Sequence, residues 1–355
     1  MAKLFYLTVL FLNFTYGLQG QISSVQNINT NPKLDKSEKP IEFLPVLRIR
    51  TMSIVAYDSA TKQLGVAVES HYFSAGPIVP WAESGVGAVA TQANADPLYG
   101  LMGLNLMRAG KDAKSTLNAL MAADSFIQTR QIAMIDSKGN AAAFTGNKNS
   151  SAAGHYIGKN FSVQANTMLN EEVWPAMAKA FETTKGELVD RLVAALEAGQ
   201  KAGGDIRGKQ TAALIVVSGT PTGLVWKDRL FDLRVDDSPE PIIELKRLVR
   251  LQKAYRLIGI GDDLASQNKI DLAIKSYKDG VALAPEKEEL RYGLALILFL
   301  SGKEDEALPV FKQVFAENPI WVEITKRYVT SGDLPNDPIK IQLILEQAPH
   351  KKINK

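Results

Sequence analysis

The feature that most constrains the fold of this 355-residue chain is a pair of short strands that are largely apolar on both faces. Met52–Tyr57 and Leu64–Ser70 are rich in β-branched residues, and the polar residues 58–63 between them are typical of a turn. A strand that is apolar on both faces belongs inside a domain, with other elements packed on each side of its sheet. The two strands therefore predict a buried hairpin at the centre of a layered sandwich.

The elements after the hairpin alternate between pairs of helices and groups of strands. Turn residues and glycines separate them, and the last strand, Thr211–Val217, is strongly apolar. This order predicts an α+β fold in which two sheets lie between two helical layers, a four-layer αββα sandwich. The other predicted elements are strands at 86–91, 130–135, 140–144, 161–164 and 226–235, and helices at 97–110, 113–123, 171–182 and 187–198.

The C-terminal part of the chain repeats with a period of 34 residues. After the turn-rich boundary at 236–241, small, aromatic and proline residues recur at matching positions. This period is typical of tetratricopeptide repeats, so we predict an all-α unit of about two repeats. Flanking helices are predicted at 241–256 and 321–329. The recurring pairs are Gly261/Ala295, Leu264/Leu298, Ala273/Ala307, Tyr277/Phe311 and Pro285/Pro319.

The N-terminus is typical of an exported protein. Lys3 precedes the apolar run Leu4–Phe14, and small residues follow, so residues 1–20 are predicted to be a signal peptide. The run is shorter than a membrane-spanning helix, which argues against a stable membrane anchor, although a retained anchor is the competing interpretation. Residues 21–50 are polar and are predicted to be a flexible leader. The mature protein is expected to be periplasmic or secreted.

Composition narrows the chemistry. The chain has no cysteine, which excludes a cysteine nucleophile and cysteine-bound zinc. Its three histidines, His71, His155 and His350, lack paired-ligand spacing, and no dinucleotide fingerprint follows a strand. We therefore predict neither a metal nor a cofactor. The net charge of +3 comes without a basic stripe, which argues against nucleic acid as a partner.

Several blocks of sequence, taken in order, resemble a known family. They are TMSIVAYD, GVAVES, VPWAESGVGAVATQA, YGLMGLNLMRAG, FSVQANTM and EAGQKAGGDIRGKQTAALIVV. The chain is similar over residues 51–217 to the family labelled domain of unknown function 1028 (DUF1028). The resemblance implies an N-terminal-nucleophile (Ntn) hydrolase-like fold. Together with the repeats, it predicts an Ntn-like domain at 51–236, a tetratricopeptide domain at 237–335 and a tail at 336–355.

Thr51 is the candidate nucleophile that the resemblance implies. In Ntn hydrolases the first residue of the mature chain is Thr, Ser or Cys at the start of a buried strand, and its free α-amine is the base. Thr51 matches by residue type and by position, since it opens the first strand. A free amine there requires a cut after Arg50, by self-processing or by a basic-specific protease. The competing interpretation is a structural hydroxyl at a strand end.

Three neighbours of Thr51 are candidate members of the same site. Ser53 lies on the same face of the strand and is expected to form hydrogen bonds near Thr51. The resemblance implies an acidic residue at about the position of Glu69, which would position the nucleophile, and a lysine where this chain has His71. The histidine departs from the family pattern, so its role is either catalytic, with a charge that changes near neutral pH, or structural.

Four further polar residues follow or precede strands. Asn94 and Asn166 each follow a Gln-Ala pair at a strand end, so their amides are candidate donors to a developing oxyanion in one cleft. Turn capping is the alternative role for both. Asp205 and Arg207 lie in a glycine-rich loop before the last strand, where they either bind a polar substrate or remain solvated.

Two functions from different classes follow. The first is an exported amidohydrolase of the Ntn type, which cleaves a small amide or peptide-like substrate through an acyl intermediate on Thr51. The second is a catalytically silent envelope scaffold that binds a protein, peptide or peptidoglycan ligand through the sandwich and the repeat helices. The region 226–250 favours the peptidoglycan version, because it is similar to a segment with that assignment in some relatives.

Overall fold

The computed structural model describes residues 47–349 of the chain. The predicted signal peptide, residues 21–46 of the predicted leader and residues 350–355 lie outside this range. Within it, no helix is both long enough and apolar enough to cross a lipid bilayer.

Two sheets, both antiparallel, form the first part of the structure. The first sheet contains β1 (Leu47–Ile49), β4 (Pro80–Glu83), β5 (Gly87–Ala95), β6 (Arg130–Asp136) and β7 (Ala141–Thr145). Its order is β1-β5-β6-β7, and β4 also pairs with β5. The second sheet contains β2 (Thr51–Tyr57), β3 (Leu64–Ser70), β8 (Gly154–Gly158), β9 (Phe161–Ala165), β10 (Thr211–Val217) and β11 (Arg229–Val235). Its order is β11-β10-β3-β2-β9-β8, so the predicted hairpin β2–β3 lies at its centre.

The two faces of β2 are buried against different layers. Met52, Ile54 and Ala56 pack in the core that the second sheet shares with the helices above it. Val55 and Tyr57, which alternate with them, pack in the core between the two sheets. Thr51 and Ser53 belong to this second face by the same alternation, so both side chains point toward the space between the sheets.

Helices cover the outer face of each sheet. Helices α1 (Leu98–Arg108) and α2 (Ala113–Ala123) pack on the first sheet, while α3 (Val173–Thr183) and α4 (Leu188–Lys201) pack on the second. Close approach of α4 depends on Gly65 in β3, because a Cβ atom there would lie 2.7 Å from Cδ1 of Leu192. The chain is thus a mixed α and β structure with two antiparallel sheets, as predicted at that level.

The last part of the described chain is helical. Its helices are α6 (Pro241–Ser266), α7 (Ile270–Leu283), α8 (Glu288–Leu300), α9 (Glu304–Glu317), α10 (Ile320–Ser331) and α11 (Pro338–Leu345). The start of α6 contributes Leu245 and Val249 to the core of the second sheet. Ion pairs from Lys246 to Glu197 and from Lys253 to Asp190 add to this contact between α6 and α4. The helical region is therefore packed against the sandwich.

The bounds of several elements differ from the sequence prediction. Helix α6 is continuous to Ser266, whereas the prediction ended a capping helix at Arg256; no proline interrupts it, and Gly261 lets it approach Tyr277 of α7 closely. Residues 225–228 form a short helix, α5, before β11, where a strand was predicted. The segment predicted as a tail contains α11, whose Ile344 is buried in the helical core.

Candidate functional site

The chain passes from one sheet to the other immediately before Thr51. Leu47–Ile49 forms β1 in the first sheet, Arg50 is the single connecting residue, and Thr51 begins β2 in the second sheet. The Thr51 side chain is fully buried between the sheets. In the intact chain, therefore, an external substrate has no access to this hydroxyl.

Two hydroxyl groups and one carbonyl meet at this junction. The Thr51 Oγ1 atom lies 3.1 Å from Ser70 Oγ and 3.0 Å from the Ile49 carbonyl oxygen, and it has one proton to donate between them. Ser70 Oγ donates a hydrogen bond of 2.6 Å to the carbonyl oxygen of Arg50. The serine thus links the Thr51 hydroxyl to the peptide bond that precedes it.

Arg207 supplies a second donor to the same carbonyl. Its Nη2 atom lies 2.9 Å from the Arg50 carbonyl oxygen and 2.6 Å from Oδ2 of Asp205. Its Nε atom donates to Oδ1 of Asp205 at 3.0 Å, so the guanidinium is held by both carboxylate oxygens. The Asp205 side chain is fully buried. Asp205 therefore fixes the guanidinium so that one of its N–H groups is directed at the Arg50 carbonyl oxygen.

Side-chain amides hold the main chain of Thr51 from the other side. Gln92 Nε2 and Asn166 Nδ2 donate to the Thr51 carbonyl oxygen at 3.1 and 3.2 Å. Both amides also donate to Oε1 of Gln131, at 2.6 and 2.9 Å. Ser53 belongs to the same network, since its Oγ donates to Gln92 Oε1 at 2.6 Å and accepts from Gln164 Nε2 at 2.5 Å. These polar groups are buried, and their hydrogen bonds fix the position of Thr51.

Glu69 lies on the opposite face of the sheet from Thr51. It pairs with Met52 in the β2–β3 register, and Met52 faces the helical layer. Both of its carboxyl oxygens are buried and have no hydrogen-bond partner among residues 47–349. Burial, with the nearby charge of Asp205, raises the pKa of Glu69 to about 8, while Lys209 and Arg207 act in the opposite direction. The structure thus places this carboxyl behind the strand and away from the Thr51 hydroxyl.

The other predicted site residues lie at the same end of the sandwich with different contacts. His71 donates its main-chain N–H to Asp205 Oδ2 at 3.4 Å, and its ring Nδ1 is buried without a partner in the described range. Asn94 donates its amide to Thr129 Oγ1 at 3.0 Å. Neither Asn94 nor Asn166 donates to the Arg50 carbonyl, since Asn94 donates to Thr129 and Asn166 donates to the carbonyl of Thr51. Across residues 47–349, no group of three or more His, Asp or Glu side chains is placed to hold a metal ion.

The amino-acid sequence assigns the chain to a family. The sequence pattern of the family of unknown function DUF1028 matches residues 51–245, which is more than half of the chain. The chain belongs to the DUF1028 family. A crystal structure of a DUF1028 protein from Silicibacter pomeroyi is similar to it, with 30% sequence identity and a TM-score of 0.51. The similarity covers 57% of this chain and 88% of that one. No curated protein matches the chain.

Four residues of this site in the DUF1028 protein were not predicted from the sequence: Ser70 and the glutamines at 92, 131 and 164. The register of the hairpin contains the signal that identifies Ser70. If pairing starts at Tyr57 and Leu64 beside the turn, equal steps along each strand place Ser70 opposite Thr51, as the structure does. The glutamines had no such local signal, because their partners come from strands of both sheets.

Exposed apolar side chains surround this end of the DUF1028 domain. Phe73, Leu169 and Ile206 are each more than half exposed. The loops of Leu169 and Ile206 are linked by hydrogen bonds from Leu169 N to the Gly204 carbonyl and from Ile206 N to the Thr167 carbonyl.

Gln131→Met is expected to destabilise the protein by about 2–5 kcal/mol, because it leaves the buried amides of Gln92 and Asn166 without their shared acceptor. Methionine keeps the length and volume of the side chain, so a cavity does not contribute to the loss. Chemical denaturation measures the effect. Gln313→Met, on an exposed helical surface, is the matched control and should change the free energy of unfolding by less than about 0.5 kcal/mol. Equal effects of the two substitutions would show that the buried network does not stabilise the fold.

Proposed function

We propose that this protein is a hydrolase of the Ntn type that cleaves an amide or peptide-like bond with Thr51 as its nucleophile. In this proposal the intact chain is a precursor, and cleavage of the Arg50–Thr51 bond activates it. The observation that carries the proposal is the contact of two donors, Ser70 Oγ at 2.6 Å and Arg207 Nη2 at 2.9 Å, with the Arg50 carbonyl oxygen. Donors at that oxygen are what stabilises the negative charge of a tetrahedral intermediate.

The cleavage step uses groups already in place. Attack of Thr51 Oγ on the Arg50 carbonyl carbon forms a C–O bond and moves an electron pair onto the oxygen that Ser70 and Arg207 hold. The C–N bond then breaks, the nitrogen takes the proton released by the hydroxyl, and an ester joins Arg50 to Thr51 Oγ. Hydrolysis of this ester by water returns the hydroxyl and leaves a carboxylate on Arg50 and a free α-amine on Thr51.

The freed amine completes the catalytic group. With an ordinary pKa near 8, an α-amine accepts a proton from the adjacent hydroxyl at neutral pH. A substrate carbonyl placed where the Arg50 carbonyl had been meets the same two donors. Asn166 and Gln92 keep hold of the Thr51 carbonyl and thus maintain the nucleophile in position. Acyl transfer to Thr51, followed by hydrolysis, releases the two products without a metal or cofactor.

The finer assignment of the fold is part of the same proposal. Two antiparallel sheets between two helical layers, with a buried threonine at the start of a central strand, support an Ntn-like domain. Helix α9 begins at Glu304 and α7 at Ile270, and this spacing supports a tetratricopeptide unit in the helical region. We also propose that the chain is exported to the periplasm or outside the cell, since residues 1–20 have the composition of a signal peptide.

A silent binding scaffold is the second candidate function. The observation that favours it is a cavity of about 510 Å³ between β4, α1 and the loop before β11. Val225 lines it, and the neighbouring Trp226 is 73% exposed. An exposed tryptophan beside a cavity suits a peptide or a peptidoglycan sugar ring. This function does not require a cut before Thr51.

The test is the N-terminus of the purified full-length protein over time. We expect intact-mass measurement and terminal sequencing to find a chain that begins at Thr51, formed at a rate independent of protein concentration. Arg207→Gln should slow this cleavage by about 100-fold or more, because one oxyanion donor is lost. Arg247→Gln, which removes a surface arginine paired with Glu244, is the control and should leave the rate unchanged. A chain that stays intact, or that is cut elsewhere, would favour the scaffold.

A further inference from the structure

Two short strands, β1 and β4, share one edge of β5. Ala93 of β5 pairs with Arg130 of β6 on one side and with Ile49 of β1 on the other. β4 covers the same edge further back, over Gly87–Ala90. On this edge β1 pairs only with Ala93–Ala95, so loss of β1 would leave these three residues of β5 without a strand partner, next to Thr51.

Two neighbouring side chains of β1 differ in their exposure to solvent. Ile49, one residue before the Arg50 carbonyl, is fully buried in the core between the sheets. Arg48, one residue further back, is exposed. The site around β1 thus accepts an extended main chain and a branched apolar side chain, and it leaves the next side chain in solvent. Alternation of this kind is the basis of peptide recognition by strand addition to an edge.

We infer that the opened site takes an extended peptide as its substrate, paired antiparallel with Ala93–Ala95 in place of β1, with a branched apolar residue immediately before the residue that bears the scissile carbonyl. This inference rests on the proposed function, because it takes the Arg50 carbonyl as the position of the substrate carbonyl. The register of the peptide is set at its C-terminal end, where β4 covers β5 up to Ala90 and where Ser70 and Arg207 hold the carbonyl. The leader that ends in Ile49-Arg50 is then the first peptide to occupy the site.

The test uses full-length protein that cannot be cut and whose leader is displaced. Ile49→Asp places a charge in the apolar site of β1 and should expose the edge, while Thr51→Val removes the nucleophile. Because Arg50 stays bonded to residue 51 in this protein, the probe ends at the position of Ile49. It is the labelled peptide acetyl-Val-Leu-Arg-Ile-amide, and its control is acetyl-Val-Leu-Arg-Gln-amide, which is similar in size but has a polar last residue. We expect the double variant to bind the isoleucine peptide at least tenfold more tightly than the glutamine peptide. The Thr51→Val single variant, with its edge still covered, should bind it at least tenfold more weakly.

Hydrogen exchange provides a second measurement on the same proteins. The main-chain amides of 93–95 should lose protection when β1 is displaced and regain it when the isoleucine peptide binds. If Ile49→Asp does not fold, Ile49→Gly, which removes only the side chain, replaces it.

Equal binding of the two peptides, or protection elsewhere than at 93–95, would overturn the inference. If the double variant binds the isoleucine peptide selectively but the unmodified protein is never cleaved before Thr51, the peptide site is supported and the hydrolase proposal is wrong. If the unmodified protein is cleaved before Thr51 but the double variant binds the two peptides equally, only the peptide site is wrong.

Discussion

Thr51→Val is expected to abolish cleavage between Arg50 and Thr51, so that the purified chain keeps its original mass. Valine has nearly the shape of threonine, but it has no hydroxyl to attack the Arg50 carbonyl. The donors at that carbonyl, Ser70 and Arg207, remain in place, so the experiment removes the nucleophile alone. Loss of a nucleophile lowers such reactions to background, whereas loss of one oxyanion donor slows them by about 100-fold to 1,000-fold. Intact-mass measurement over several days provides the readout.

Thr51→Ser is the matched control for this substitution. Serine keeps the hydroxyl and the chemistry of the ester intermediate, so cleavage should continue. Both variants should stay folded. Among residues 47–349 the Thr51 side chain forms hydrogen bonds only with Ile49 and Ser70, so valine should cost about 1 kcal/mol of stability. If the valine variant is cut as fast as the serine variant, an external protease makes the cut and the proposed self-processing is wrong.

Glu69→Gln is expected to change the pH dependence of stability more than any other single substitution of an ionisable group described above. Burial raises the pKa of this carboxyl from 4.5 to about 8 in the folded protein. Between these values the folded state binds the proton and the unfolded state does not. The contribution of Glu69 to the free energy of unfolding is therefore fully present below about pH 4.5. It is lost as the pH rises toward 8, by at most about 1.4 kcal/mol per pH unit.

Glutamine cannot ionise, so the variant should lose this slope. We expect it to be more stable than the unmodified protein by about 3–5 kcal/mol at pH 9, and to show no gain at pH 4. Chemical denaturation at several pH values measures the difference. Glu171→Gln, at an exposed position before α3, should leave the slope of the unmodified protein unchanged. A Glu69→Gln protein with the same slope as the unmodified one would show that this carboxyl ionises freely in the fold.

Part of the fold was predictable because some elements are delimited by strong local signals. Strand Leu64–Ser70, helix Ala113–Ala123 and strand Thr211–Val217 have the predicted ends. Each combines a clear apolar pattern with glycine or polar turn residues at its boundaries. Three strands were missed. β4 and β8 lack such a pattern, because they are only partly buried and contain proline or glycine. β1 lies in the segment predicted to be a flexible leader, and pairing with β5 orders it.

The candidate site was predictable in part for a similar reason. The resemblance implied Thr51, which also lies at the start of a buried strand, and Arg207 and Asp205 were singled out by their place in a glycine-rich loop before another strand. The two asparagines were expected to share one oxyanion site, but Asn94 contacts Thr129 while Asn166 holds the Thr51 carbonyl. A sequence reveals which side chains end a strand, but it does not reveal which atoms they meet across two sheets.

Amino-acid order alone determined the central hairpin and the alternation of helices and strands, and its resemblance to the DUF1028 family implied Thr51 as the candidate nucleophile. The hairpin and the alternation depend on spacing along one or two elements, where geometry follows directly from the period of the strand or helix. Tertiary structure decided that β1 pairs in the other sheet, that Glu69 faces away from the Thr51 side chain, and that Ser70 and Arg207 converge on the Arg50 carbonyl. Such contacts join residues up to 157 positions apart, and packing of the layers, rather than local preference, brings them together.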